Sequence, residues 1–409
     1  MANSLLTPTA VTREALRILH QKLNFVGNIN RQYDSSFAKT GAKIGDSLKI
    51  RLPNQYTIRT GATLDVQDTS ESSVTLQVAT QKGVDMSFSS VDLTMDIDDF
   101  SDRILQPAMS VLAANIESDA LSMYKDVYNE IVDVGDSASV LDVLNVGKRL
   151  TDELAPVSDR CLLLNTQANV DLIDALKGLF NDPAKLSKNY REGMVANDFL
   201  GFSKVYQNTM MPTHTTGTDD GTADYAINNG TLTGGTATVD TGAGTWKKGD
   251  IFYINTVTRV HPETKVDTGK HQPFVCTNDE AASTTSIEFT PAIVTTGGGQ
   301  NVSAAMADGD TLYKVESDNL TTLSSATAIG NAADYEISLG FHKDAFAFAT
   351  ADLVMPKGVD FSAREVMDGI SMRIVRQYDI NNDTYPCRLD VLYGYKTVRP
   401  ELACRMGNN

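Results

Sequence analysis

Between Asp96 and Val134, apolar residues recur every three or four positions: Phe100, Ile104, Ala108, Val111, Leu112, Ile116, Ala120, Met123, Val127 and Ile131. That is the period of a helix with one buried stripe. Arg103, Gln106, Ser110, Glu117, Ser122, Asp126 and Asn129 fall mainly on the opposite side. Asp96, Asp98 and Asp99 stand where carboxylates favour the positive end of a helix dipole. Pro107 predicts either a kink or a short first helix followed by a longer one. At ~1.5 Å per residue, the part beyond Pro107 would span roughly 40 Å, which suggests a strut. Periodicity alone fits the long core helix of an enzyme equally well.

The rest of the chain supplies elements around this strut. Thr12–Tyr33 carries a helical pattern through Ala15, Leu16, Leu19, Leu23 and Val26, and Ser47–Leu52 alternates as a strand that stops at Pro53. Between Tyr56 and Val78, YTIRT and SSVTLQV read as two strand-like arms joined by the polar GATLDVQDTSE. Such a hairpin could project roughly 30 Å at ~3.3 Å per residue. A lone two-stranded hairpin is marginal in water, so this one is expected to lie on a partner surface. Ser139–Leu154 and Val170–Phe180 predict helices, Cys161–Leu164 and Phe199–Tyr206 predict strands, and Asn181–Asn197 reads as a loop.

At Thr213 the composition changes. Residues 213–245 hold eleven Thr and seven Gly without helical periodicity. Short strands divided by turns follow: Ile251–Val257, Phe274–Cys276, Ser286–Phe289 and Thr311–Val315. They predict an antiparallel sandwich or small barrel. From Glu336 the earlier character returns in ISLGFHKDAFAFAT, GISMRIVRQYDI and CRLDVLYGYKTV. The chain reads as a mixed α+β body interrupted by a β domain, whose two ends should meet near Thr213 and Ala333.

Composition narrows the function. The 409 residues are 41% hydrophobic and 21% charged, which is globular. A net charge of −17 argues against nucleic-acid binding as the main activity, because phosphate attraction needs Lys and Arg. The charge is uneven. Residues 1–60 hold nine basic and three acidic residues, whereas residues 213–320 hold fourteen acidic and six basic. A basic arm on an acidic body suggests that one copy's arm lies on another copy's surface. Cys161, Cys276, Cys387 and Cys404 are widely spaced and read as free, buried thiols of a reducing compartment. No apolar run reaches membrane-spanning length, and the N-terminus lacks the apolar stretch of a secretory signal. The expectation is a cytoplasmic soluble protein.

The chemistry is sparse. His20, His214, His261, His271 and His342 have no acidic or cysteine partner at a recognisable spacing, and His342 beside Asp344 reads as a strand or turn residue. Asp379, Asn381 and Asp383 imitate the start of a calcium loop, but Thr384 stands where that loop needs Gly. TGAG and TGGGQ lack the GK[ST] of a phosphate-binding loop. Asp219 and Asp220 mark a turn. No catalytic residue, cofactor or metal site is expected, and the pattern suits a building block better than an enzyme.

ISLGFHKDAFAFATADLVMP (337–356), GISMRIVRQYDINNDTYPCRLDVLYGYKTVRPELACRM (369–406) and FSDRILQPAMSVLAANIESD (100–119) resemble major capsid proteins of tailed bacteriophages. The likeness is to the podovirus coat-protein group with an inserted β domain, whose insertion VDTGAGTWKKGDIFYINTV and TSIEFTPAIV also resemble. The resemblance implies the α+β Hong Kong 97-type capsid fold. It would divide the chain into an N-terminal arm (1–50), an extended E-loop hairpin (51–82), a peripheral domain with the spine helix (83–136) and an axial domain (137–215). The inserted β-barrel (216–336), the continued axial domain (337–378) and C-terminal peripheral and axial strands (379–409) would follow.

The family's role implies self-assembly as pentamers and hexamers into an icosahedral head around a scaffolding protein. A portal protein would admit double-stranded DNA, enclosed without specific binding, and decoration proteins could join. Assembly would occur in the host cytoplasm and the product would be the virion capsid. Subunit contacts are expected at Arg13, Arg17 and Lys22 on the arm and at Arg51, Arg59 and Asp65 in the hairpin. One departure stands out: relatives can carry a charged loop early in the insertion, whereas Tyr225–Val239 has no charge. A cell-encoded, encapsulin-like shell protein and a β-domain adhesin or glycan-binding protein are the rival readings.

Overall fold

The computed structural model describes residues 8–31, 47–64, 66, 71–89, 106–132, 136–176, 197–218, 225–230, 232–240, 242–314, 333–367, 370–382 and 384–408. They form two compact units. The first comprises Met1–Arg51, Ser73–Leu121 and Phe346–Val398; the second comprises Leu52–Ser72, Ser122–Ala345 and Arg399–Asn409.

In the first unit, the helix Pro8–Lys22 buries Ala15, Leu16, Ile18 and Leu19 and is followed by the short helix Phe25–Asn28. The spine helix runs from Gln106 to Leu121, with Pro107 in its first turn, where a missing N–H costs no helical bond. Sixteen residues make it about 24 Å long. The strut predicted to reach Val134 is therefore shorter. After Leu121 the chain tightens into a 3₁₀ turn at Ser122–Asp126 and becomes the strand Glu130–Val132. The reason lies in burial: Val127 through Val132 are all buried, an unbroken run that suits a strand covered on both faces. The predicted stripe is also wrong in detail, because Val111 is 58% exposed while Glu117 is buried at 3%. Residues 90–105 lie outside the described residues.

The sheet of this unit is built on the strand Thr384–Thr397. One edge pairs with Thr80–Ser89; the other pairs with Ile370–Arg376 toward its start and Phe346–Ala351 toward its end. Phe361–Met367, which the hydrophobic pattern did not single out, adds to Ile370–Arg376. The predicted hairpin is corrected too. Its second arm is the strand Ser73–Gln77, but that strand pairs with Ser47–Arg51 and not with Tyr56–Thr60, which forms no strand. Pro53 cannot donate to a ladder, and the strand Ser47–Arg51 stops just before it.

In the second unit, Asp334–His342 is the centre of a seven-stranded body sheet. It pairs with Ala403–Asn408, Arg160–Leu164 and Thr213–Thr215. Glu130–Val132 pairs in parallel with the C-terminal strand, and Phe202–Gln207 pairs in parallel with Arg160–Leu164 and back on Asn197–Phe199. The helix Val140–Asp152 starts with a capping box in which Ser139 and Asp142 satisfy each other's backbone N–H. The next helix begins at Thr166, four residues before the predicted Val170, and runs to Leu176. Its early start is held by Asn165 Oδ1, which accepts the Ala168 N–H at 2.6 Å.

The Thr-rich insertion forms a six-stranded antiparallel sheet from Ala226–Ile227, Gly234–Asp240, Ile251–Val260, Asp267–Cys276, Ser286–Ile293 and Leu312–Tyr313. Its first and last strands meet, with Ile227 N–H donating to Asp310 C=O at 2.8 Å and Leu312 N–H to Tyr225 C=O at 2.9 Å, so the sheet closes into a barrel. Trp246, Phe252, Phe274 and Phe289 pack edge-on in its core. Where the chain enters and leaves, Thr216 N–H donates to Ala333 C=O at 3.0 Å and Ala333 N–H to Thr216 Oγ1 at 3.0 Å.

Candidate functional site

The loop between the paired strands leaves several large apolar side chains in water. Tyr56, Ile58, Leu64 and Val66 are 56%, 88%, 79% and 76% exposed. Arg59 lies among them and donates to the carbonyls of Gly61 and Thr63, holding the bend of the loop from within. Arg51 is exposed at the end of its strand, opposite Ser73, and Asp65 lies outside the described residues.

On the arm, Arg17 grips Glu14 one turn away at 2.6 and 3.0 Å, and Arg13 lies 3.7 Å from Glu365. Both guanidiniums stay exposed, and such pairs contribute little to stability by themselves. Lys22 belongs to the last turn of the same helix. What fixes the arm was not on the predicted contact set. Glu117 of the spine helix, expected on the polar face, accepts the backbone N–H groups of Phe25 and Val26. It supplies the negative cap that the short helix Phe25–Asn28 lacks locally.

The second unit holds a buried ionic seam between the barrel and the body sheet. Asp250, in the KKGD turn, is 1% exposed and receives four donors or cations. These are His214 Nε2 at 3.0 Å, Lys314 Nζ at 3.3 Å, and the N–H groups of Lys247 and Gly217, each at 3.0 Å. Burial raises the carboxyl's affinity for a proton, but the His214 hydrogen bond and the Lys314 ammonium outweigh it and hold Asp250 below the usual carboxylate range. Because a carboxylate only accepts, His214 Nε2 carries a proton toward Asp250, and Nδ1 lies 3.2 Å from the Tyr124 hydroxyl. Lys314 also caps the Thr245 carbonyl at 2.7 Å and lies 4.1 Å above the Trp246 ring.

Arg405 continues the seam. Fully buried, it donates to the Gly249 carbonyl at 2.8 Å and lies 3.4 Å from Glu130, which accepts the Tyr335 hydroxyl at 2.9 Å. Burial, with Glu130 adding to it, pushes the Tyr335 phenol well above its ordinary range. Along the same barrel strand, Ile251 and Tyr253 pack on Tyr128 of the body. At the strand's far end Arg259 lies 3.2 Å from Glu153 and donates to the Asp152 carbonyl at 3.3 Å, completing the C-terminal end of the helix Val140–Asp152.

Sequence reasoning passed over this seam because its members lie far apart along the chain. His214 and Asp250 are 36 residues apart, and Glu130 and Tyr335 are 205 apart. The remaining polar residues lie elsewhere. His342 is held by burial below its ordinary value and its Nδ1 accepts the Asp344 N–H at 3.3 Å, a turn role. Asp379 accepts from Asn381 and Asn382, closing a bend between strands. Arg399 and Glu401 pair at 2.8 Å across a 3₁₀ turn. The four cysteines are free and buried, and burial pushes each thiol up to about 12. The uncharged stretch Tyr225–Val239 contains two strands of the barrel wall, and Asp219 and Asp220 lie outside the described residues.

A family model described as P22 coat protein, gene protein 5, matches residues 9–406, almost the whole chain. The chain belongs to the P22 coat protein family. It is a major capsid protein, a subunit of a phage head shell, with a mixed α+β fold. Membership sets this coat protein apart from the encapsulin-like and adhesin readings. No curated protein sequence matches it. Among solved structures it is similar to a chain of Mycobacterium phage Che8, at 12% identity and a TM-score of 0.45, over 94% of this chain and 90% of that one. The capsid of Ralstonia phage GP4 is similar at 6% identity and 0.42, over 90% and 85%. The SrpI encapsulin complex of Synechococcus elongatus is similar at 9% and 0.36, over 88% and 81%.

Proposed function

We propose that this coat protein assembles with itself as pentamers and hexamers around a scaffolding protein in the host cytoplasm. The resulting icosahedral head receives double-stranded DNA through a portal. The role is structural and not enzymatic. The observation that carries the contact assignment is the loop from Leu52 to Ser72, whose Tyr56, Ile58, Leu64 and Val66 are left exposed. Covering them in a neighbouring copy would remove from water an apolar area that the subunit itself leaves open. Arg51 and Arg59 in this hairpin, with Arg13, Arg17 and Lys22 on the basic arm, would add charge pairing against acidic neighbours, and Asp65 would pair with a basic one. The surplus of acidic residues keeps the shell from adhering to DNA. On this reading residues 216–336 are a separate inserted domain, and the rest of the chain divides into arm, hairpin, peripheral and axial domains.

Electron microscopy of the protein co-expressed with its scaffolding partner tests assembly. Closed shells are expected; a protein that stays monomeric at high concentration would overturn the proposal. Replacing Gly61–Glu71 by a short turn should leave a folded subunit that makes no stable shell, and normal particles from that variant would remove the loop from the contact set.

A further inference from the structure

The glycine-rich TGGGQ carries no phosphate-binding signature, and the coat-protein role leaves it without a task. In the barrel it forms a turn that is shaped by its own hydrogen bonds. Val294 N–H donates to Asn301 Oδ1 at 2.9 Å, and Asn301 Nδ2 donates to the Ala292 carbonyl at 2.8 Å. Gln300 N–H closes on the Gly297 carbonyl at 3.1 Å, and Lys265 Nζ holds the Gln300 carbonyl at 3.0 Å. Gly297 has φ +80°, the left-handed region that glycine adopts freely.

Gly298 is glycine for another reason. A Cβ placed on it would sit 2.2 Å from the Gln55 carbonyl oxygen, 2.7 Å from its carbonyl carbon and 3.1 Å from Tyr56 N. Its φ is outside the left-handed region, so the neighbour and not the dihedral excludes a side chain. Gly299 differs: a Cβ there would meet only Gln55 Oε1, at an ordinary 3.6 Å. Main chain thus rests directly on main chain at one point, where the exposed loop leaves its paired strand. The loop needs such a support, because residues 53–60 form no strand and the next four large apolar residues along it face outward.

We propose that the turn Gly297–Gly299 of the inserted barrel is a seat for the root of the exposed loop at Gln55–Tyr56, so that the barrel aims the loop its own chain presents to a neighbour. The aiming role rests on the proposed assembly function of that loop; the seat itself does not. The seat lets a rigid element hold a loop that has no ladder of its own, which reduces the freedom lost when the loop docks.

The test uses the full-length monomeric protein and trypsin cleavage after Arg59, four residues from the seated carbonyl. Gly298→Ala should speed that cleavage at least tenfold, while Gly299→Ala cleaves like the parent. Emission from Trp246, the chain's single tryptophan, should be unchanged in both. Parent-like cleavage in Gly298→Ala overturns the seat. So does equal acceleration in both variants, which would mean a loosened turn, or a shifted Trp246 emission, which would mean a damaged barrel. Released cleavage in Gly298→Ala with normal particles in the presence of scaffolding protein would keep the seat and overturn the loop's assembly role.

Discussion

Glu130→Gln removes the charge that faces a guanidinium shut off from water while leaving the neighbouring hydrogen bond intact. Gln keeps an oxygen where Glu130 Oε1 accepts the Tyr335 hydroxyl, so that bond, 2.9 Å in the parent, survives. Arg405 loses the negative charge at 3.4 Å, keeping a neutral amide oxygen there and the Gly249 carbonyl. Breaking one side of a fully buried pair costs roughly 3–5 kcal/mol, because the remaining charge is left uncompensated. A loss of about 3 kcal/mol raises the unfolded-to-folded ratio by roughly two orders of magnitude. Urea unfolding of the monomer, followed by circular dichroism and by Trp246 emission, measures the loss for body and barrel separately. Arg405→Met alone should cost a similar amount, since it strands the Glu130 carboxylate. The double variant should recover at least half of the summed loss, because replacing both charges removes the desolvation penalty as well as the attraction. A Glu130→Gln protein within about 0.5 kcal/mol of the parent, or strict additivity in the double variant, would refute a buried ionic seam between barrel and body.

Two further predictions concern titration. Asp250 is held below its ordinary value in the folded state, so its contribution is complete above the unfolded carboxylate range and disappears as pH falls through the lowered folded value. The Trp246 environment, set by Lys314 above the ring, should therefore change as pH falls through the lowered Asp250 value; an environment altered already at the ordinary carboxylate value would contradict the assignment. Burial pushes all four thiols up to about 12, so a thiol reagent at pH 8 should leave the native protein unlabelled and modify four sites after denaturation. Fast labelling of the native subunit would disprove that burial.

The linear pattern determined what depends on neighbours along the chain. The apolar spacing in Gln106–Leu121 and in Ser139–Leu154 specified helices, and the change of composition at Thr213 marked the all-β insertion. The order of these elements was enough to resemble a coat protein before any coordinate was known. Tertiary structure decided where the spine helix ends: Tyr128–Val132 keeps an apolar spacing close to helical, yet the C-terminal strand offers Glu130–Val132 a parallel partner, and pairing wins over local propensity. It also decided which strand pairs with Ser73–Gln77, because Ser47–Arg51 lies opposite it in register from Ser47 at Gln77 to Arg51 at Ser73. The polar residues show the division most sharply. Nothing in the local sequence marks Glu117, His214, Asp250 or Arg405 for burial. They are buried because partners remote along the chain supply the hydrogen bonds and opposite charges that burial requires. Hydrophobic spacing is a local property and can be read from the chain; the compensation of a buried charge is a long-range one, and only folding brings its two halves together.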